Sequence, residues 1–323
     1  MKFLFFLFPI CLFGSVCVPF TMDLKTGYRQ DHIRIKTVLP GENLAREKYK
    51  NVRFYQTDLT MRTIQRDIYL LLNGGYGALG KGEAFVNPYP LDFTSVPTSF
   101  ALCTEGNSYH VKGIFGYGVN LTPERYYRVV LTPLVGYGAI WQYLKRKDPS
   151  PNPFTASNAP GQTNTFSLSI NESDDNLYTS WRGFIVGGNL WITPGGPFSL
   201  RLDYGYHFMK VYQNLFQEQS ILRYDGNDSL TNREILTYKT RVRKNGAHGH
   251  SGSFEIIYLL TEHLNLSLEG GAFYYFSTTQ SVDVKKNSQI FFPTVSQGNL
   301  ELDSRYNCTH LMLSALFVIS WSF

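Results

Sequence analysis

The stretch Leu311-Met312-Leu313-Ser314-Ala315-Leu316-Phe317-Val318-Ile319-Ser320-Trp321-Ser322-Phe323 decides the fold class. Leu311, Leu313, Ala315, Phe317, Ile319, Trp321 and Phe323 share one face. His310, Ser314, Ser320 and Ser322 share the other. A period of two with one apolar face marks a strand. An apolar face that runs to the last residue is how the closing strand of a transmembrane barrel reads.

The amino terminus sets the compartment. One positive charge at Lys2, the apolar run Phe3 to Phe13 and the small residues Gly14, Ser15 and Cys17 read as a secretory signal. Such a run is too short for a stable bilayer helix, which needs about 20 apolar residues. The expected organisation is therefore a signal at 1 to 17 and one barrel domain at 18 to 323. A lipoprotein with Cys17 as its anchor ranks second, because Val16 stands where a small residue is usual.

Downstream no apolar stretch is long enough for a membrane helix, and mean hydropathy is −0.18. The 323 residues include 22 Tyr, 24 Phe and 28 Gly, a balance that favours strands over helices. The class expected is all-β. A net charge of +5 is too small to argue for nucleic acid.

Alternation places about ten strands near 24 to 37, 51 to 62, 64 to 80, 109 to 121, 128 to 146, 180 to 192, 198 to 214, 250 to 260, 264 to 283 and 307 to 323. Connections alternate between short ones (near Thr63, 122 to 127, 193 to 197, 261 to 263) and long ones (38 to 50, 81 to 108, 147 to 179, 215 to 249, 284 to 306). Outer-membrane barrels show this asymmetry, with short periplasmic turns and long outer loops. Both ends then lie in the periplasm. The cleanest strand sets Phe198, Leu200, Leu202, Tyr204, Tyr206 and Phe208 against Ser199, Arg201, Asp203, Gly205 and His207. Between His110 and Leu121 the apolar row is Val111, Phe115, Tyr117, Val119 and Leu121, with Ile114 intruding on the polar face. The polar rows are read as lumen.

The Phe323 terminus after such a strand resembles the assembly signal of bacterial outer-membrane proteins, with Trp321 beside it. The strand number, the outer loops and that terminus together resemble the omptin-like outer-membrane barrels over nearly the whole mature chain. Gly74-Gly75-Tyr76-Gly77 and Ser320-Trp321-Ser322-Phe323 also look like outer-membrane proteins of chlamydia-like bacteria. Omptins are surface proteases that activate a water between an Asp-Asp pair and an Asp-His pair on the outer rim. Here the second outer loop offers Glu83 and Asp92, and Asp225 and Asp228 lie far from His248 and His250. No catalytic residue carries over.

Several constellations remain. Lys112, Arg201, Asp203, His207, Glu255 and Glu269 face the expected lumen, where ion pairing would plug a barrel little wider than eight strands. That structural reading outweighs proton transfer through Arg201, Asp203 and His207. Lys239, Arg241 and Arg243 alternate on one face in the fourth outer loop, followed by Lys244. They suit lipopolysaccharide phosphates or anionic glycans, or equally a protected strand edge. His248 and His250 lack further ligands for a metal. Cys103 and Cys308 are the cysteines left after signal removal, and an internal bridge is slightly favoured over separate thiols. Asn-x-Ser/Thr triplets at Asn120 and Asn265 are expected to face the lumen, where no glycan fits.

The sequence therefore points to an outer-membrane β-barrel without cofactor or metal, surrounded by membrane lipid, with lipopolysaccharide a candidate ligand. The outer-membrane assembly machinery is an expected partner, and the extracellular partner stays open. A non-enzymatic role in adhesion, recognition or envelope structure is favoured. The rivals are an omptin-like protease with displaced carboxylates, its suspected residues being Glu83, Asp92 and Asp225 with His248, and a narrow or gated channel.

Overall fold

The computed structural model describes residues 20–38, 45–65, 67–87, 99–122, 127–147, 152–159, 162–170, 176–224, 230–279, 283–291, 300–301 and 305–323. The expected signal at 1 to 17 lies outside them, as do Asp92, Asp225 and Asp228. Ten antiparallel strands form the ring: β1 (Phe20–Val38), β2 (Ala45–Gln65), β3 (Ile68–Asn87), β4 (Ser99–Tyr117), β5 (Tyr127–Lys147), β6 (Asn176–Pro194), β7 (Phe198–Tyr224), β8 (Leu230–Leu259), β9 (Leu264–Thr279) and β10 (Arg305–Ser322). Each pairs with its chain neighbours, and β10 closes on β1.

Register fixes the tilt. From Ser199 the pairing runs through Ile257, Ser267, Val318, Lys25, Asp58, Gly75, His110, Ile140 and Trp181 back to Val211, a return twelve residues up the same strand (211 − 199). An even return keeps each strand's inward face continuous around a tilted barrel.

The outward face carries an apolar belt between two aromatic girdles. The lower girdle includes Phe20 stacked on Phe323 at 4.8 Å and Phe198 against Tyr258 at 5.0 Å. The upper one includes Tyr28 against Tyr55 at 4.9 Å and Tyr76 against Tyr109 at 5.1 Å. On β1, Phe20 and Tyr28 are eight residues apart (28 − 20), roughly 26 Å of tilted strand. With the strands tilted by about 40° this is about 20 Å of height, a little under the ~25 Å lipid-facing band of such barrels. Leu59, Leu72, Phe115, Val135, Phe184 and Leu268 fill the belt and are exposed. The last strand does what its alternation announced: Leu313, Phe317 and Phe323 are exposed, while His310, Met312, Leu316 and Val318 are buried.

Most of the long connections expected as loops are strand. β7 and β8 continue well past the girdle and pair with each other up to Tyr224 and Leu230. Gln162–Ile170 pairs with the top of β7 and Asn152–Ala159 pairs with Gln162–Ile170. Asp283–Phe291 pairs with β8 from Arg233 to Arg241. These polar segments lack the apolar face that a lipid belt imposes, so alternation alone reads them as loop. Neighbouring strands nevertheless satisfy their backbone groups.

Candidate functional site

Among the described residues, the lumen gathers buried charged side chains, and it divides into two layers. In the lower layer, level with the apolar belt, Arg201 pairs with Glu255 at 2.7 Å and with Asp203 at 3.2 Å. Lys25 reaches Glu269 at 2.5 Å, two strands away, and Arg62 pairs with Asp23 at 3.1 Å. Ser267 donates to Glu255, and Asn189 donates to Asp203 at 2.6 Å. The opposite wall is apolar: Tyr69, Leu71 and Leu134 cluster with Ile114, so the residue that broke the alternation packs inside.

His110 and Asp58 meet above Gly75, Nε2 to Oδ2 at 3.5 Å. A Cβ on Gly75 would lie 2.1 Å from Asp58 Oδ1 and 2.3 Å from His110 Cε1, so glycine alone leaves room for that pair. His110 also contacts Asn73 Oδ1 at 3.0 Å, and Asn73 donates to Thr60 at 2.8 Å.

Asp31 marks the boundary of the two layers. Arg29 grips its carboxylate with Nε and Nη2 at 2.9 and 3.0 Å, His310 Nε2 stands 3.2 Å away, and Gln142 donates at 2.9 Å across the barrel. Arg29 also lies over the Phe54 ring at 4.6 Å. Asp31 and His310 are both 0 % exposed, so this Asp-His pair ties β1, β5 and β10 together inside the barrel.

Above that knot the interior turns apolar. Ile33, Phe54, Leu144, Leu177, Trp181 and Met312 belong to one buried cluster, with Trp181 stacked on Tyr275 at 5.5 Å. The expectation of a polar lumen is thus corrected in part: charges dominate inside the belt beside one apolar wall, and above it an apolar cluster takes over, with Arg146 and Glu47 paired at 3.7 Å. There the wall no longer faces lipid, and the same inward positions are free to build an ordinary hydrophobic core. Two adjoining cavities of about 70 and 60 Å³ lie among the described lumen residues and share Lys25, Lys112, His207 and Glu269. Together they have room for on the order of ten waters.

The expected lumen set lies in or beside this layer, with altered partners. Arg201, Asp203, Glu255 and Glu269 are ion-paired as described. His207 turns from Asp203 to Ser251, Nε2 to Oγ at 2.8 Å, with its ring edge-on to Tyr275 at 5.3 Å. Lys112 has no ion pair among the described residues and lines both cavities.

The cationic row is not a loop. Lys239, Arg241, Arg243 and Lys244 are strand positions of β8, in register with Phe216, Asn214, Tyr212 and Val211, and Arg241 is exposed. Lys239 faces Lys285 and Arg241 faces Asp283 across the next strand. Cys103 and Cys308 carry no disulfide and are buried within the upper apolar core. Cys103 stands six residues beyond Tyr109 (109 − 103), outside the belt. Burial pushes its thiol up to about 12, against the pull of Arg146. Asn120 is exposed rather than lumenal.

His248 and His250 sit on the outer face within the upper girdle. Their Nδ1 atoms stand 3.0 Å from Tyr206 Oη and 2.9 Å from Tyr204 Oη. A protease built on His248 and Glu83 therefore has no common site, since Glu83 is on β3, opposite Lys50 and Leu102.

Asp23, Lys25, Arg29, Asp31, Asp58 and Arg62 were missed by the sequence reading. A signal was present: Asp23, Lys25, Arg29 and Asp31 alternate on the odd face of β1. Inside an otherwise apolar strand, that spacing marks a charged lumen row.

Set against known proteins, the chain matches the family model described as Pom, Protochlamydia outer membrane protein, over residues 23–302. No curated protein matches it in sequence. Among solved structures it is similar to the outer membrane protease OmpT from Escherichia coli, with TM-score 0.52 and 11% identity, covering 96% of this chain and 99% of that one. The toluene transporter TodX of P. putida aligns with TM-score 0.28 and 12% identity, over 96% of this chain and 91% of that one. The likeness to OmpT concerns the fold: the omptin-like architecture expected from the layout, and the likeness to proteins of chlamydia-like bacteria expected from Gly74-Gly75-Tyr76-Gly77 and Ser320-Trp321-Ser322-Phe323, are found.

Proposed function

For a chain that belongs to the Pom family of Protochlamydia outer membrane proteins and sits in the bacterial outer membrane, we propose a non-enzymatic surface role resting on a closed barrel. The observation that carries this reading is the double filling of the lumen, ion pairs below and apolar packing above, around cavities of about 70 and 60 Å³. A solute path would require both layers to move. Recognition or envelope contact then falls to the paired strands that rise beyond the girdle, where residues on a rigid scaffold are well placed to bind.

The test is direct. In planar bilayers the purified barrel is expected to give no discrete conductance steps, and steps at modest voltage would overturn the reading in favour of a channel. Incubation with basic peptides is expected to leave them intact. Cutting the chain between Tyr224 and Leu230 and between Phe291 and Leu300 is expected to abolish surface binding while leaving the barrel folded.

Residues 1 to 17 act in this reading as an export signal, and the Trp321-to-Phe323 end as the tag for the assembly machinery. Phe323 stacks on Phe20 and its N–H donates to the Phe20 carbonyl at 3.0 Å, which joins the two ends of the described barrel. Removing Phe323 is expected to lower the yield of heat-modifiable, folded protein in the outer membrane.

A further inference from the structure

Two clefts on the outer wall are built alike. In one, Arg53 on β2 directly faces Lys81 on β3 above Tyr28 and Tyr55. In the other, Arg182 on β6 directly faces Lys210 on β7 above Phe184 and Phe208. All four cations are exposed, and none is ion-paired among the described residues. Each pair also sits at a break in register: between Lys50, Arg53 and Phe54 in the first, and between Met209 and Lys210 in the second, where Gly246 takes φ +87°. Such bulges re-aim side chains.

The two clefts share one height on opposite sides. From Leu59 the pairing runs through Gly74, Val111 and Ala139 to Arg182 and Lys210, five strands on. Half of the twelve-residue return is six residues, so the position on β2 level with Lys210 is 53 (59 − 6), which is Arg53. That height is just above the upper aromatic girdle, where the head groups of the outer leaflet lie. A third like-charged pair, Arg34 with Lys48, stands five residues higher on β2 (53 − 48), off that level.

Like charges directly opposite one another weaken a sheet. Two such pairs at one level, with no carboxylate lining either cleft, suit an anion from outside the chain. We propose that each cleft clamps the phosphate of an anionic lipid of the surrounding leaflet, with the two cations on the phosphate oxygens and the aromatic floor against the upper acyl chain. The barrel then carries two fixed lipids, one on each side. This inference is independent of the closed lumen, because both clefts face outward.

Native mass spectrometry of the full chain, released from phosphatidylcholine bilayers doped with phosphatidylglycerol, tests it. Two anionic lipids per barrel are expected to survive release. Arg53→Gln with Lys81→Gln should leave one, Arg182→Gln with Lys210→Gln should leave one, and the fourfold variant none. Titration of each pair variant should show affinity for the emptied cleft lower by about thirtyfold. Retention of two lipids by the fourfold variant, or equal retention of phosphatidylcholine, overturns the proposal. So does inorganic phosphate displacing the lipid at equal concentration, which would make the aromatic floor irrelevant.

Folding is checked by heat-dependent gel mobility, and thermal midpoints add a second readout. Phosphatidylglycerol should raise the midpoint of the parent. In the fourfold variant, freed of like-charge repulsion, it should have no effect. An equal rise in both overturns the proposal.

Discussion

The lower and upper halves of one lumen are lined by the same strands and solved in opposite ways. Below the girdle the wall has spent its apolar residues on lipid, and the interior is closed by charges: Arg201 with Glu255 and Asp203, Lys25 with Glu269, Arg62 with Asp23. Above it Leu144, Leu177, Trp181 and Tyr275 pack as the core of a soluble domain would. A strand can bury its apolar side against lipid or against its own barrel, and height along the axis decides which. The contrast also separates stability from specificity, since buried ion pairs contribute little net stability but are costly to break singly.

The largest expected effect is in the lower layer. Arg201→Met leaves Glu255, which is 1 % exposed, without its counter-charge and should cost about 4 kcal/mol. The check is the urea midpoint of the folded-to-unfolded gel transition. Adding Glu255→Gln should return most of the loss, and additivity of the two would show that the pair is not coupled.

In the upper layer Leu144→Ala, at a fully buried position, should cost about 3 kcal/mol through the cavity it opens. A loss under about 1 kcal/mol would mean that the upper interior is loosely packed, and the two-layer contrast would fall.

The third effect belongs to the upper layer through Cys103, whose thiol is held up to about 12 by burial. Below about pH 9 the folded and unfolded chains both keep this proton. Above that, the unfolded chain loses it first, so stability should fall by up to about 1.4 kcal/mol per pH unit until the folded thiol also ionises. Cys103→Ala should flatten that slope, as read from unfolding midpoints between neutral and alkaline pH. The folded thiol should also resist maleimide at neutral pH.

The smallest effect is expected outside both layers. Arg241→Ala, on exposed strand, should change stability by less than about 0.5 kcal/mol, and a larger change would mean that the cationic row supports the sheet.

Much of the architecture was legible from residues alone. Phe198 to Phe208 and Leu311 to Phe323 alternate cleanly because lipid makes one demand on every outward side chain. The rising parts of β7 and β8 carry no such stamp, because strands outside the lipid belt meet water on one face and protein on the other, and their alternation reads as loop. The candidate lumen residues were placed inside but not paired: His207 was set beside Asp203 and turns to Ser251. Asp31 escaped notice altogether, since its meaning lies in partners on distant strands.

That is also the division for the whole protein. Outward facing, strand number and chain-order pairing are local properties, fixed residue by residue against an unspecific solvent, and the sequence determines them alone. The contacts that close the lumen join Asp31 to Gln142 across 111 positions, Lys25 to Glu269 across 244 and Asp31 to His310 across 279. Only barrel closure with its twelve-residue return brings those side chains to one level, because a charge or a ring inside the wall has no solvent to accept it and must find its partner in space.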